Sequence, residues 1–352
     1  MRTGFGIGAL AALVGSTLTG CGGSTEGPGS SKGAPTASGP RIVLVTNSNS
    51  DYWSAVEKGL NDGAAKFGAN VEMKRNDGTT EGQIRLLEEA LSIPDVKGVA
   101  VSPIEAEAVG IADALRKLKD AGKKVISIDS DLTPSAADSR LAYIGTNNTK
   151  AGEAAGKAAA MIRPDGGKTA IFVATSSATN AIERMTGFFE AAGPKFAKIE
   201  TFEDGADMNK AQTLVGTALT KYPDVGVLLG LYSYNGPRIA EEVSRSPEIR
   251  KKVLVVTFDL DEQAIAHLEK KNIDVTVVQN PYEIGYQTVH LLKAYIEDDQ
   301  KTIDEMLPNK ATTYDTGVRV IVPGEDSPVK GDNVLTIEKM KEWLSSKGLK
   351  SS

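Results

Sequence analysis

The sequence predicts an α/β protein with two lobes, each built on a doubly wound parallel sheet. Short β-branched apolar runs alternate with amphipathic stretches of helical length. Most of the runs are continuously apolar, as is typical of strands covered by helices on both faces. They are also too numerous for one small open sheet. A single (β/α)₈ barrel is the alternative that the same alternation allows.

The first 20 residues are predicted to be a lipoprotein signal peptide outside the fold. Arg2 supplies a positive charge, an apolar stretch follows, and residues 18–21 read LTGC, similar to a bacterial lipobox. The only cysteine, Cys21, is either a buried structural thiol or a lipid acceptor. Its polar, flexible neighbours offer no core, which favours lipidation and anchoring to a membrane surface.

Residues 21–40 are predicted to be a flexible tether. They are rich in Gly, Ser and Pro and show no periodic apolar pattern. The tether would let the globular part of the protein move while it stays attached to the membrane.

The regular pattern begins at Arg41. A polar stretch over residues 131–148 separates two similar halves, which we expect to join near residue 144. The predicted strands cover residues 42–46, 70–74, 98–102, 124–129, 169–174, 198–202, 225–230, 253–258 and 275–279. The predicted helices cover residues 53–67, 81–91, 105–121, 149–162, 180–192, 208–221, 236–245, 261–270 and 283–297.

Charge and motif content exclude several classes of protein. A net charge of −6 argues against nucleic acid as the main partner. His267 and His290 are far apart in sequence and far from the cysteine, so a metal could be held only by carboxylates. The motifs HExxH and CxxC are absent from the sequence, and no GxSxG elbow lies between a predicted strand and a predicted helix. Asp129 and Asp259 could form an acid/base pair, but no nucleophile or histidine accompanies them, so we expect neither enzymatic turnover nor a cofactor.

Polar and aromatic residues follow most of the predicted strands. Ligands of open parallel sheets bind beyond the carboxyl ends of the strands, so these residues are candidates for a binding site. Amides and carboxylates bind hydroxyl groups, and aromatic rings pack on the C–H faces of sugars. The alternative is that each residue only caps a helix or forms a turn.

Residues 41 to about 322 resemble the periplasmic sugar-binding proteins of the ribose- and galactose-binding type, the solute receptors of ABC importers. The matching segments are SDYWSAVEKGL, VISID, NAIERMTGF, LYSYNG, VTFD and TVVQNPYEIGYQ. Repressors with the same fold share some of these segments, but they begin with a helix-turn-helix where this chain has the lipobox and tether.

The resemblance implies a type I periplasmic binding protein with three hinge crossovers, near residues 144, 280 and 312. The N-terminal lobe would comprise residues 41–144 and 281–312, and the C-terminal lobe residues 145–280 and 313–352. The tail after Pro323, with a predicted helix over residues 336–346, extends beyond the typical family end.

The resemblance also implies a ligand site between the lobes. Trp53 could instead anchor its helix in the core, and Arg184 is interpreted as a structural, exposed or paired helix charge. Ser130 and Ile182 replace two arginines of ribose binders, so we expect a different sugar, a polyol or a larger saccharide derivative. The implied ligand-binding residues are Asn49, Ser50, Tyr52, Trp53, Ser102, Asp129, Asn180, Tyr232, Asn235, Asp259 and Gln279.

The function implied by the resemblance is that of an exported lipoprotein on the periplasmic or cell-surface side of a membrane. It would bind a sugar or polyol between its lobes, close around it and deliver it to an ABC permease. The alternative is a sensory receptor of the same fold that reports to a chemoreceptor or histidine kinase.

Overall fold

The computed structural model describes residues 39–50 and 52–352, where strands and helices alternate. The predicted signal peptide, Cys21 and most of the predicted tether lie outside the described residues. The strands are β1 (Arg41–Val45), β2 (Asn70–Lys74), β3 (Val96–Val101), β4 (Lys124–Ile128), β5 (Ala142–Gly145), β6 (Gly167–Val173), β7 (Phe196–Glu203), β8 (Val225–Gly230), β9 (Leu254–Phe258), β10 (Val275–Val278), β11 (Thr313–Asp315), β12 (Arg319–Val322) and β13 (Val334–Thr336).

The helices follow most of the strands, and each predicted helix begins within four residues of its predicted start. They are α1 (Tyr52–Phe67), α2 (Thr80–Ser92), α3 (Val109–Asp120), α4 (Asn148–Ile162), α5 (Thr179–Ala192), α6 (Met208–Lys221), α7 (Asn235–Ser244), α8 (Pro247–Lys252), α9 (Glu262–Glu269), α10 (Pro281–Ile296), α11 (Gln300–Met306) and α12 (Ile337–Ser346). Short 3₁₀ turns cover Pro134–Ser139 and Pro308–Lys310.

The strands form two separate open sheets. The first has the order β11-β5-β4-β3-β1-β2, and the second has the order β13-β12-β10-β9-β8-β6-β7. Neighbouring strands are parallel except for β10 and β12, which are antiparallel. The predicted class of two doubly wound lobes is therefore confirmed, and the two sheets exclude the barrel.

The chain passes between the sheets three times: after β5, after β10 and after β11. After the second crossing, α10 returns to the first lobe, where it packs against α1. The third crossing lies farther along than expected. Thr313–Asp315 pair in parallel with β5, so these residues belong to the first sheet. The predicted lobe boundary, which placed residues from 313 onward in the second lobe, is therefore three residues too early. The three-residue strand has no apolar run that would reveal it.

Other short elements also escape prediction from the sequence. The strands β5, β11, β12 and β13 have three or four residues, and the helices α8 and α11 have six and seven. A helical or strand period does not develop over such lengths. The longer strands and helices, whose apolar faces repeat several times, are the ones that the sequence predicts.

Glycines bring one pair of helices close together in each lobe. A Cβ at Gly59 of α1 would overlap the carbonyl oxygen of Tyr282 in α10. A Cβ at Gly152 of α4 would overlap the carbonyl oxygen of Arg184 in α5. Only glycine permits these backbone approaches.

Among the helices of the described residues, none is long and apolar enough to cross a bilayer.

Candidate functional site

The predicted site residues lie mainly beyond the carboxyl ends of the strands. Parallel pairing places those ends at one edge of each sheet. Asp129 directly follows β4 in the first lobe, and Asp259 directly follows β9 in the second. The negative charge of Asp259 contributes to the raised pKa of Asp129 on the other lobe.

Asp129 is held in an unusual backbone conformation. Its φ is 60°, a region that few non-glycine residues adopt. The Ser102 hydroxyl donates to its Oδ2 at 2.9 Å, and the Tyr143 hydroxyl donates to its carbonyl oxygen at 2.8 Å. Burial raises the pKa of Asp129, while the hydroxyl groups of Tyr52 and Ser102 oppose that shift. The arrangement presents a carboxylate to the cleft that can accept hydrogen bonds.

Asp259 has the same conformation in the second lobe, with φ 64°. It is 8% exposed, and the Gln279 side-chain amide donates to its Oδ1 at 3.0 Å. Burial raises the pKa of Asp259, and the positive charge of Arg184 and the Gln279 amide oppose that shift. Gln279 and Asp259, predicted separately from two segments of the sequence, are therefore direct neighbours.

Arg184 differs from its sequence-based interpretation as an exposed or paired helix charge. It is 2% exposed, and its partners are neutral. Nε donates to Oδ1 of Asn148 at 3.0 Å, and Nη1 donates to the carbonyl oxygen of Leu231 at 2.6 Å. The guanidinium lies 4.7 Å from the ring centre of Phe258. Its positive charge opposes the rise in the pKa of Asp129 and of Asp259.

A signal for the position of Arg184 exists in the sequence. Three residues later, Gly187 lets α5 approach α4 so closely that a Cβ there would overlap the carbonyl oxygen of Thr149. The helix face that carries Arg184 is therefore turned inward.

Gln83 is a further buried polar residue that the sequence does not single out as part of the site. Its side-chain amide donates to the carbonyl oxygens of Thr46 and Ser102 at 2.8 Å.

The adjacent aromatic residues Tyr52 and Trp53 have different environments. Trp53 is 1% exposed, packs in the core of the first lobe, and donates its indole N–H to the Ser48 hydroxyl at 3.2 Å. We therefore assign Trp53 to the core, the alternative left open by the sequence. The ring of Tyr52 meets that of Trp53 edge to face, with ring centres 5.4 Å apart.

The Tyr52 hydroxyl points toward the aspartates. It is buried and makes no hydrogen bond of acceptable geometry among the described residues, although it lies near the carboxylate of Asp129. Burial and the negative charge of Asp129 raise the pKa of Tyr52 well above its usual value. A buried hydroxyl without a partner is costly, so a ligand is a suitable partner for it.

The second lobe contributes a linked pair, Asn180 and Tyr232. The Tyr232 hydroxyl donates to Oδ1 of Asn180 at 2.8 Å, and both side chains are only partly buried. Asn235 is different, because it is 1% exposed and both ends of its amide are used within the protein. Oδ1 accepts from the Tyr232 backbone N–H at 3.1 Å, and Nδ2 donates to Asp204 at 3.1 Å. Asn235 therefore supports the loop that carries Tyr232, rather than facing the cleft as predicted.

The remaining predicted positions lie around this centre. Asn49 and Ser50 are exposed on the loop before α1. Ser130 is partly buried and its hydroxyl is 3.5 Å from Oδ2 of Asp129, while Ile182 is 49% exposed. Asp131 forms an ion pair with Arg140.

Within the described residues no three His, Cys, Asp or Glu side chains converge in a way that could hold a metal ion.

Two surface cavities lie elsewhere in the second lobe and near the hinges. One, of about 440 Å³, runs along α4 and β12, and another, of about 880 Å³, lies beside α12. Neither is lined by any predicted ligand-binding residue. The chemistry described above therefore points to the cleft and not to these cavities.

Comparisons with known proteins agree with this architecture. The model of a family described as "periplasmic binding protein domain" matches residues 41–301. The chain is 27% identical to the D-ribose/D-allose-binding protein of Pseudomonas aeruginosa over 229 residues, which cover 62% of this chain and 69% of that protein. It is 26% identical to the D-allose-binding periplasmic protein of Escherichia coli, covering 71% and 82% of the two chains.

A solved structure shows the same similarity. GanP, a glucose-galactose binding protein from Geobacillus stearothermophilus, superposes with a TM-score of 0.70 at 26% identity. The superposition covers 83% of this chain and 99% of that chain. Part of this chain therefore has no counterpart in that structure.

Proposed function

Because the chain belongs to the periplasmic binding protein domain family, we propose that it binds a sugar or sugar-like solute in the cleft between its two lobes. Binding would close the lobes around the solute without changing it chemically. The free energy for closure would come from contacts that the solute makes with both lobes only when they are together.

The observation that carries this proposal is the pair Asp129 and Asp259. Asp129 is partly buried and Asp259 is buried, they come from opposite lobes, and the negative charge of Asp259 contributes to the raised pKa of Asp129. A solute with several hydroxyl groups can donate to both at once, and such charge-assisted hydrogen bonds are stronger than neutral ones. A solute held in this way would join the lobes.

The surrounding side chains fit the same kind of solute. The Tyr52 hydroxyl is buried without a partner, and Gln279 is already oriented by Asp259. Partly buried Tyr232 offers a ring face that can pack on the C–H face of a sugar. We propose as ligand contacts Tyr52, Ser102, Asp129, Asn180, Arg184, Tyr232, Asp259 and Gln279, with Asn49 and Ser50 at the entrance.

The two named relatives bind ribose or allose according to their descriptions, and GanP binds glucose and galactose. In this chain Ser130 and Ile182 replace two arginines expected of ribose binders. Arginine forks bind hydroxyl groups in a fixed geometry that serine and isoleucine cannot reproduce. We therefore propose a sugar other than ribose, a polyol or a larger saccharide derivative.

Delivery to an ABC permease is the proposed role of the loaded protein, with lipid on Cys21 holding it at the membrane after export. Sensing through a membrane receptor would use the same site and the same closure. Deleting the gene separates the roles. Loss of uptake of the radiolabelled solute supports delivery, whereas normal uptake with a lost transcriptional response to the solute supports sensing.

The binding proposal is tested by thermal unfolding of the purified protein, stripped of copurified ligand, with pentoses, hexoses, polyols and disaccharides. A solute that binds only the folded form must raise the melting temperature by mass action. A saturable shift with one class supports the proposal and identifies the class. No shift with any class at millimolar concentration contradicts it. Recovery of the bound compound with unchanged mass would support binding without turnover.

A further inference from the structure

Beyond the matched family region, the residues that follow the third crossing form part of the second lobe. The family match ends at residue 301, whereas the chain continues through β12 and β13 to α12. One face of α12 packs in the second-lobe core through Ile337, Met340 and Leu344, all at most 4% exposed. This face explains why the helix is stable where it lies.

The other face of this segment reaches the first lobe. The ring of Trp343 meets the ring of Tyr282 edge to face, with centres 6.1 Å apart and planes at 88°. Lys347 lies 4.3 Å above the ring of Tyr282 and donates to its hydroxyl oxygen at 3.2 Å. Tyr282 is the second residue of α10, which packs in the first lobe directly after the second crossing.

Tyr282 passes this contact on to the body of the first lobe. Its hydroxyl donates to Oδ2 of Asp62 in α1 at 3.0 Å, and Asp62 also pairs with Lys58. Burial opposes a charged Asp62, but Lys58, Tyr282 and Lys347 together lower its pKa. A chain of polar contacts therefore runs from Lys347 of the second lobe to α1 of the first.

The segment also contacts the third crossing and the binding site. The guanidinium of Arg319, the first residue of β12, lies 4.0 Å from the ring centre of Trp343. Farther along, Ser352 and Leu260 exchange two backbone hydrogen bonds of 2.8 and 2.9 Å. Leu260 immediately follows Asp259, so the segment is bonded to the loop that presents this carboxylate.

We propose that residues 337–352 form an interlobe strap that favours the closed arrangement of the two lobes. The strap joins Tyr282 of the first lobe to Arg319 and the Asp259 loop of the second. A contact made in the closed state and lost on opening shifts the population toward closure by its own strength. For a lysine over a tyrosine ring this amounts to about a two- to fivefold change in the closed-to-open ratio.

The lobe separation can be measured without a ligand by spin-label distance measurements. Val109 and Met208 are 71% and 58% exposed and are the first residues of α3 in the first lobe and α6 in the second, which follow strand ends at the cleft. Val109→Cys and Met208→Cys in a Cys21→Ser chain provide a single pair of labels, because Cys21 is the only native cysteine. We expect Lys347→Ala to move part of the distance distribution to larger values.

Lys341→Ala is the matched control, because Lys341 lies in α12, six residues before Lys347, but pairs with Glu269 of the second lobe. It should leave the distribution unchanged, and Tyr282→Leu, which removes the ring beneath Lys347, should shift it as Lys347→Ala does. An identical distribution in the Lys347→Ala, Lys341→Ala and unsubstituted chains would overturn the strap. Because no ligand is needed, this result is independent of whether the proposed sugar binds. Circular dichroism checks that each variant is folded.

Discussion

Asp129 and Asp259 occupy equivalent places in the two lobes. Each directly follows a central parallel strand, and each has a positive φ, 60° and 64°. The backbone N–H of each donates to the next strand, to Ile144 at 2.9 Å and to Val277 at 2.8 Å. The carbonyl oxygen of each accepts a side-chain hydroxyl, from Tyr143 or Thr276. The same device thus fixes one carboxylate on each side of the cleft.

This arrangement predicts that Asp259→Asn weakens sugar binding strongly while the protein remains folded. Replacing a carboxylate acceptor by a neutral amide removes a charge-assisted hydrogen bond, which corresponds to about a 10- to 150-fold loss of affinity. Titration calorimetry with the sugar identified by thermal unfolding measures the effect. Asp224→Asn is the control, since Asp224 is on the same lobe but pairs with Lys168 at the surface. Equal affinities for both variants would remove Asp259 from the site.

Tyr52→Phe and Trp53→Phe should have opposite effects on stability and binding. Removing the unpartnered Tyr52 hydroxyl should raise the unfolding free energy of the ligand-free protein by about 1 kcal/mol and weaken binding about tenfold. Trp53→Phe should lower that free energy by about 1–3 kcal/mol, because it leaves a core cavity, and leave the affinity nearly unchanged. Urea unfolding and calorimetry test both variants. Lower affinity in Trp53→Phe than in Tyr52→Phe would reverse the assignments.

Arg184→Met should destabilise the protein and alter the titration of the cleft aspartates. The substitution leaves the side-chain oxygen of Asn148 and the carbonyl oxygen of Leu231 without their donor, at a cost of about 1–3 kcal/mol for each buried group. It also removes the positive charge that opposes the rise in the pKa of Asp129 and of Asp259. Carboxyl ¹³C titration should therefore show both aspartates titrating at higher pH. Unchanged titration would mean that Arg184 is only a packing residue.

The ligand-free protein should lose stability from Asp259 as the pH rises. Because burial raises the pKa of Asp259, the native state holds its proton longer than the unfolded state does. Its contribution is fully present below the ordinary aspartate pKa of about 4 and is lost as the pH rises through the raised native pKa. Urea unfolding over this range should show a smaller decline for Asp259→Asn than for the unsubstituted protein. Parallel curves would contradict the raised pKa.

Cys21→Ala should release the protein from membranes. Lipidation requires the cysteine that follows LTG, and one or more acyl chains are the proposed anchor. In cell fractionation, the unsubstituted protein should sediment with membranes and the variant should be found in the soluble exported fraction or as uncleaved precursor. Ser24→Ala, in the predicted tether, should not change the fractionation. Equal membrane association of both variants would contradict the anchor.

The sequence by itself determines the fold class. The period of its apolar residues identifies every strand and helix of eight residues or more in the described lobes, because burial of a regular face repeats along such elements. Conspicuous residues at strand ends also indicate where a cleft must lie, since parallel strands present their carboxyl ends at one edge. Asp129, Asp259 and Gln279 could be selected in this way.

Only the tertiary structure decides what each polar or aromatic side chain contacts. Trp53 and Asn235 are directed into the protein, whereas Arg184, interpreted from sequence as a helix charge, lies buried beside the aspartates. The joining of Trp343 and Lys347 to Tyr282 across the lobes is likewise invisible in the sequence. Periodicity reports the face of one element, but contacts between side chains depend on how glycines and crossings bring distant elements together.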